Sequence, residues 1–222
     1  MRRRITLVTL AMLVVLAGCA GGGTSEDSPP LRATATPATF ESGALADLGY
    51  AERRADAPPL NTTITARIEG DVTLQTTRDV RATTGRRVYA RSTPDGPVVV
   101  ALYTVPAVRP FDNADLRKNP AVGLSPAALA TRAQTVYADV RDASRAGAQS
   151  VTMLGNRTTL TRYRATARNG SRTADPRPVT VAVTAVAHGG DYVTLVIVRP
   201  RSADPSLRRL LGAVRHKKGA TA

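Results

Sequence analysis

Apolar and polar residues alternate along most of the chain from residue 60 onward, with the period of two that is typical of β-strands. Turn-forming sequences join these segments in pairs, which predicts hairpins around Gly70-Asp71, Pro94-Asp95-Gly96-Pro97, Gly155-Asn156 and His188-Gly189-Gly190-Asp191. Residues 98–105 are apolar on both faces, so this strand should lie inside the sheet. The predicted strands cover residues 60–68, 72–80, 88–91, 98–105, 151–154, 159–167, 179–187 and 192–198.

Three other segments have a helical pattern. Ser125-Pro126 is a strong helix start, and the apolar residues that follow recur every three or four positions up to Gly147, at Leu129, Ala133, Val136, Val140 and Ala143. Residues 39–48 and 205–214 predict two further helices, the first short and the second amphipathic. The predicted fold class is therefore α+β, a mostly antiparallel sheet of about 6–8 strands packed by two or three helices.

The amino terminus predicts export and a lipid anchor. Three arginines precede the apolar residues 5–16, a segment too short to cross a bilayer as a helix, so residues 1–18 are predicted to be a signal peptide. The sequence Leu16-Ala17-Gly18-Cys19 resembles the prokaryotic lipobox, which implies that Cys19 carries lipid. An ordinary secretory peptide with a chance cysteine is the alternative, and the export route stays open between the general and twin-arginine pathways.

The remaining chain divides into three parts by composition. Residues 19–38 are rich in Gly, Ser and Pro and predict a flexible tether behind the lipidated cysteine. Residues 39–216 are predicted to form a single α+β domain, and residues 217–222 a basic tail. Residues 106–124 form a proline-containing loop long enough to suggest a function, although a surface excursion is the simpler interpretation.

Charge is the most unusual property of the composition. The 222 residues include 31 Lys and Arg but only 17 Asp and Glu, which gives a net charge of +14. Such a balance is typical of nucleic-acid binders, but aromatic residues make up only 4% and an exported protein does not meet cytoplasmic nucleic acid. We therefore predict no nucleic-acid partner.

An arginine row is predicted on the strand at 159–167 and just beyond it. Arg162, Arg164 and Arg168 alternate with Tyr163, Ala165 and Ala167, so they should share the outer face. One interpretation makes them a contact for a polyanion, such as membrane head groups or an acidic surface-layer glycoprotein. The other, which the sequence favours, makes them a solvated face, because high salt leaves only contact pairs.

Catalytic motifs are missing from the sequence. It contains no nucleophile elbow, phosphate loop or dinucleotide fingerprint, and one cysteine cannot build a metal cluster, so we predict no catalytic residues, no metal and no cofactor. His188 and Asp191 could form a two-ligand metal site or an acid–base pair, but a polar hairpin tip is favoured. His216 is expected to cap helix carbonyls. An exported enzyme with its site at the 106–124 loop and the His188 turn, using Asp112 or Asp115, remains the alternative.

Three sequons for N-glycosylation begin at Asn61, Asn156 and Asn169. Each is a plausible acceptor in an exported protein, and chance is the alternative in a chain this rich in threonine. Asn156 and Asn169 are favoured because both lie at predicted turns.

The order of several short motifs resembles a family of lipoproteins from halophilic archaea that is described only as a domain of unknown function. The residues that carry the resemblance are Cys19, Pro37-Ala38-Thr39, Leu45-Ala46-Asp47-Leu48-Gly49-Tyr50, Tyr103-Thr104-Val105-Pro106, Asn119-Pro120, Tyr137, Val151-Thr152-Met153-Leu154-Gly155, the His188 turn and Leu210-Leu211-Gly212-Ala213-Val214-Arg215-His216. The resemblance implies a lipid-anchored surface protein without assigned catalytic residues. The element order is also loosely similar to the Mog1/PsbP-like sandwich, which would imply a binding scaffold.

These expectations combine into one functional hypothesis. The protein is predicted to be a non-enzymatic binding or envelope-interaction module. Lipid on Cys19 would hold it at the extracytoplasmic face of the cell membrane, where acidic envelope components are its expected partners.

Overall fold

A computed structural model describes residues 29–70, 73–112 and 115–217. The predicted signal peptide, Cys19, the first half of the predicted tether and residues 218–222 of the predicted basic tail lie outside the described residues. The strands are β1 Leu31–Thr34, β2 Thr39–Phe40, β3 Ala51–Asp56, β4 Pro59–Ile68, β5 Leu74–Thr83, β6 Gly85–Arg91, β7 Val98–Pro106, β8 Tyr137–Met153, β9 Asn156–Asn169, β10 Pro176–His188, β11 Asp191–Pro200 and β12 Val214–Arg215. The helices are α1 Pro126–Ala133 and α2 Leu207–Ala213, with a single 3-10 turn at Ala46–Leu48.

A large antiparallel sheet of seven strands organises the structure, in the order β3-β6-β7-β11-β10-β9-β8. Strands β1, β5 and β4 form a three-stranded sheet in which β1 runs parallel to β5, and β12 pairs with β2. The four predicted hairpins are confirmed as β4–β5, β6–β7, β8–β9 and β10–β11. Strand β1 lies within the segment that the sequence predicts to be tether.

The two faces of the large sheet bury two separate hydrophobic cores, because both sides of β7 and β11 are covered. The front core lies under the three-stranded sheet and α1, and includes Val99, Ala101 and Tyr103 of β7. The rear core lies under α2 and the β2–β12 pair, and includes Val100 and Leu102 of the same strand. Strand β7 is therefore buried along its whole length, as its continuous apolar run predicts.

The predicted α+β class is wrong, because the structure is mostly β, with 57% strand and 10% helix. Only two α-helices occur among the described residues, and both are short. Most of the helical pattern lies in strands or turns: residues 39–48 hold β2 and the 3-10 turn, in which Gly49 still ends the turn with a φ of 76°.

The long predicted helix stops after two turns because Gln134 is buried and takes over the backbone hydrogen bonds. Ser125 caps α1 as predicted, since its Oγ accepts from the Ala128 amide at 3.1 Å. At the other end, Gln134 Oε1 accepts from the Val136 and Tyr137 amides at 2.7 Å each, and its Nε2 donates to the Tyr137 carbonyl at 3.0 Å. The chain then pairs with β9 as strand β8. Tertiary pairing thus outweighs the helical spacing of the apolar residues.

Arg86 links three elements at the front of the sheet. Its Nε and Nη2 hold the two carboxylate oxygens of Asp56 at 2.7 and 2.6 Å, and its Nη1 donates to the Arg132 carbonyl at 2.8 Å. A bidentate arginine–carboxylate pair of this kind is among the stronger polar contacts in proteins. It connects β3 and β6 to the end of α1.

Acid is expected to weaken the fold through Asp56. The hydrogen bond from Arg86 is the main cause that lowers the pKa of Asp56 from 3.8 to about 2. A depressed pKa stabilises the folded state fully above the unfolded pKa, and this contribution is lost as the pH falls from about 4 through about 2. We expect a loss of roughly 1–2 kcal/mol in urea unfolding over that range, after allowance for partial solvent screening. Asp56→Asn should be less stable at neutral pH and should lack this part of the acid dependence; an identical acid dependence would contradict the assignment.

Tyr103→Phe is expected to raise the free energy of unfolding by about 1 kcal/mol. Tyr103 is fully buried in β7, and its hydroxyl has no hydrogen-bond partner in the described part of the chain. Phenylalanine keeps the ring and removes a buried polar group that has lost its hydration. Tyr137→Phe is the matched control, because the Tyr137 hydroxyl donates to the Pro97 carbonyl at 2.7 Å and its removal should destabilise. A clear loss of stability in Tyr103→Phe would contradict the expectation.

Candidate functional site

The arginine row of β9 lies on the rear side of the large sheet, beyond the covered part of the rear core. Arg162 is opposite Ala182, a residue of that core, whereas Tyr163 and Ala165 point to the front core. Arg162 and Arg164 are exposed, and neither forms an ion pair with a described residue. The alternation read from the sequence therefore places two unneutralised guanidinium groups side by side.

Arg168 does not extend this exposed pair. It is half-buried and donates to Asp139 Oδ2 at 3.1 Å, and Arg141 forms an ion pair with the same oxygen at 2.8 Å. The register of β8 against β9 places Asp139 directly opposite Arg168, which explains why the pairing is not visible in the sequence. Arg168 therefore links β9 to β8 and does not present a free charge to solvent.

Arg199 adds positive charge to the same face of the sheet as the arginine row. It lies opposite Thr180, which in turn lies opposite Arg164 on the same face. Burial is the main cause that lowers the pKa of Arg199, and the charge of Arg162 lowers it further. Its Nη1 donates to the carbonyls of Pro200 and Arg201 at 3.2 and 2.9 Å. Arg199 thus contributes to the field of the row while its own hydrogen bonds stay within the turn.

The His188 turn is not the polar hairpin tip that the sequence favours. Asp191 is 5% exposed, and its Oδ2 accepts from the amide of Thr36, which is 155 residues away, at 3.0 Å. His216 Nε2 lies 3.2 Å from the same oxygen, and His216 Nδ1 lies 2.9 Å from His188 Nδ1. The expectation for His216 is wrong, because its side chain is buried in this cluster instead of capping α2. We call His188, Asp191, His216 and Thr36 the clamp.

Hydrogen-bond directions in the clamp follow from the groups themselves. The Thr36 carbonyl lies 2.9 Å from His216 Nε2 and can only accept, so this nitrogen carries a proton. The two Nδ1 atoms face each other, so only one of them is protonated. The imidazole pair therefore holds at most one positive charge, next to Asp191.

Burial raises the pKa of Asp191, and the Thr36 amide and His216 offset part of that rise. The clamp is thus a buried polar cluster that joins the amino-terminal segment, the β10–β11 turn and the carboxy terminus. The segment after Thr36 is also fixed from the side, since the Ala38 amide donates to Thr104 Oγ1 at 3.0 Å. A Cβ on Gly85 would lie 2.8 Å from Pro37 Cα, so glycine is required where this segment crosses β6.

Asp191→Ala is expected to lower the free energy of unfolding by about 2 kcal/mol, because it leaves the Thr36 amide and His216 without their shared acceptor. Asp191→Asn keeps an oxygen in that place and should cost less than half as much. The difference between the two variants in urea unfolding is the test. Equal losses would show that the shared acceptor contributes nothing.

The 106–124 loop lies beside the clamp without adding a carboxylate to it. The Ala107 amide donates to the Gly190 carbonyl at 3.1 Å, and Val108 pairs with Lys118. Asp115 is exposed and pairs with Arg109 and Arg117 at 3.4 and 3.6 Å, and Asp112 is also exposed. Among the described residues no group of three His, Cys, Asp or Glu side chains is arranged to hold a metal ion.

A cleft of about 390 Å³ opens between β2, the 3-10 turn and β6. The rings of Phe40 and Tyr89 meet edge to face at 5.3 Å in its wall, and burial raises the pKa of Tyr89 to about 12. Its charged residues are paired, Arg87 with Glu52 at 3.1 Å and Glu41 with Arg215. The cleft thus offers aromatic surface but no unbalanced charge.

All three sequon asparagines are exposed. Asn156 follows the tight turn at Leu154 and Gly155, and Asn169 ends β9. Asn61 is different, because it lies within strand β4, as its third residue, directly opposite Arg81.

One family comparison decides what kind of domain this is. A model for a domain of unknown function, DUF6517, matches residues 37–215. The chain belongs to the DUF6517 family. No curated protein matches it. The DUF6517 domain contains the arginine row and begins one residue after Thr36 and ends one residue before His216, so the clamp closes its two ends on each other. In the described part of this DUF6517 protein, no helix has the length and apolarity to cross a membrane.

Proposed function

We propose that the protein is a lipid-anchored surface protein of the halophilic-archaeal type, whose DUF6517 domain binds an acidic component of the cell envelope through Arg162 and Arg164. The signal peptide at 1–18 and the lipobox cysteine Cys19 support the location at the extracytoplasmic face of the cell membrane. The activity is binding, and no catalytic step is required of it.

One observation carries the binding part of the proposal. Arg162 and Arg164 project from the same face of β9, exposed and without an ion pair among the described residues, while their neighbour Arg168 is neutralised by Asp139. Guanidinium groups at this spacing suit the bidentate recognition of carboxylate or phosphate groups. Such contact pairs keep part of their strength when salt screens longer-range attraction. Asn156 and Asn169 are the proposed glycan acceptors.

Equilibrium binding to isolated envelope fractions tests this proposal. The paired variant Arg162→Ser with Arg164→Ser should weaken binding at least about tenfold, because each arginine loses charge-assisted hydrogen bonds to the partner. Arg168 stays unchanged, since its replacement would disturb the pairing of β8 with β9. The matched control is Arg53→Ser with Arg209→Ser, which removes the same charge from two exposed positions that form no ion pair with a described residue. Unchanged binding in the first variant, or an equal loss in both, would refute the role of the arginine row.

A further inference from the structure

A second pair of unneutralised arginines lies on the outer face of the three-stranded sheet, on the opposite side of the molecule from the arginine row. Arg32 of β1 is directly opposite Arg81 of β5 in the parallel register, and both side chains are exposed. Neighbouring strands lie about 4.8 Å apart, so like charges in this position repel each other. Neither arginine forms an ion pair within the described ranges.

The described residues around Arg32 and Arg81 do not form ion pairs that would neutralise their charge. Asp79 is the carboxylate closest along β5 on this face, and its Oδ1 accepts from Thr63 Oγ1 of β4 at 2.8 Å, on the side away from β1. The inner face of the same sheet is apolar, with Val80 and Ala82 in the front core. Packing of the core therefore does not require the basic residues of the outer face.

The amino-terminal chain enters the fold at the β1 edge of this sheet. Arg78 of β5 donates from Nη2 to the Pro29 carbonyl at 3.2 Å, and β1 begins two residues later. The chain from Cys19 to Pro29 spans at most about 35 Å when fully extended.

We propose that the outer face of the three-stranded sheet rests on the membrane, and that Arg32 and Arg81 together bind the phosphate of an anionic lipid head group. This inference rests on the proposed anchor at Cys19. The entry of the amino-terminal chain beside β1 and the charge complementarity of the face both favour this occupant. Binding of one phosphate by both guanidinium groups also relieves the repulsion between them. The arginine row then points away from the membrane toward the envelope.

The sequon at Asn61 provides a second test of where the membrane lies. Asn61 is exposed on the same outer face, directly opposite Arg81. A glycan at this position would stand between the arginines and the membrane, so Asn61 should carry none in the protein isolated from cells. A glycan found there by mass spectrometry would overturn the proposal.

Vesicle binding by the mature chain with Cys19→Ser tests the face without help from the lipid. The probes are vesicles of phosphatidylcholine and vesicles of phosphatidylglycerol mixed equally with phosphatidylcholine, at about 0.1 M salt. We expect binding to the anionic vesicles only, weakened roughly 25-fold by Arg32→Ser with Arg81→Ser, since each arginine near such a surface contributes a factor of about five. The variant Arg53→Ser with Arg209→Ser is the control of equal charge, at two exposed positions outside both arginine pairs, and should bind the vesicles like the parent.

Several results would overturn the inference. They are no binding to the anionic vesicles, equal binding to both kinds of vesicle, no loss in the Arg32 and Arg81 variant, or an equal loss in the Arg53 and Arg209 variant. Loss of binding to envelope protein alone in the Arg32 and Arg81 variant would identify a protein partner instead of lipid. Because the chain carries no lipid here and envelope binding is measured separately, failure of this test is distinguishable from failure of the proposed function.

Discussion

Leu195→Ala is expected to lower the free energy of unfolding by about 3 kcal/mol. Leu195 is 0% exposed at the centre of the large sheet, where it lies opposite Leu102 of β7 and Thr184 of β10. The truncation removes apolar contacts in the rear core and leaves a cavity that two hydrogen-bonded neighbouring strands cannot close.

The matched control for this core variant is Leu74→Ala. Leu74 begins β5 and is 53% exposed, so the same truncation should change stability by no more than about 0.5 kcal/mol. Urea unfolding of both variants measures the difference. A loss below about 1 kcal/mol for Leu195→Ala would contradict the assignment of β11 to the centre of a core buried on both faces.

Arg86→Met is expected to cost about 3 kcal/mol, because it leaves the Asp56 carboxylate without its bidentate partner. The side chain of Arg86 is 12% exposed and that of Asp56 is 25% exposed, so water replaces the lost hydrogen bonds only in part. The Arg132 carbonyl at the end of α1 loses its donor as well. Arg54 remains next to Asp56 and limits the loss.

Arg87→Met provides the comparison for this second variant. Arg87 is the next residue on β6, and its ion pair with Glu52 is substantially exposed, so its loss should cost less than about 1 kcal/mol. In addition, Arg86→Met should raise the pKa of Asp56 and reduce the acid dependence that Asp56 produces. Equal losses in the two arginine variants, with unchanged acid dependence, would contradict the role of Arg86 as the bidentate partner of Asp56.

Strands and hairpins were predictable because their signals are local. The alternation on β9 and the continuous apolar run of β7 each report burial directly, and Gly155-Asn156 and the His188 turn determine the hairpin positions. The helix predicted up to Gly147 failed for the opposite reason. Its apolar spacing suits a helix, but the burial of Gln134 and the pairing of β8 with β9 are tertiary and decide the outcome.

The candidate sites were also predictable only where the signal is local. The exposure of Arg162 and Arg164 follows from alternation, whereas the capture of Arg168 by Asp139 depends on a register that includes bulges. The clamp joins Thr36 to His216, 180 residues apart, so no local pattern indicates it. Arg32 and Arg81 become neighbours only because β1 pairs in parallel with β5, inside a segment whose composition is typical of a tether.

Fractionation of cells that express the full chain or its Cys19→Ser variant tests the central claim most directly. The full chain should stay with the membrane and dissolve only in detergent, because lipid on Cys19 would hold it there. The Cys19→Ser variant should appear in the medium as a folded, soluble protein. Its persistent retention in the membrane, resistant to washing with salt, would contradict a lipid anchor at Cys19.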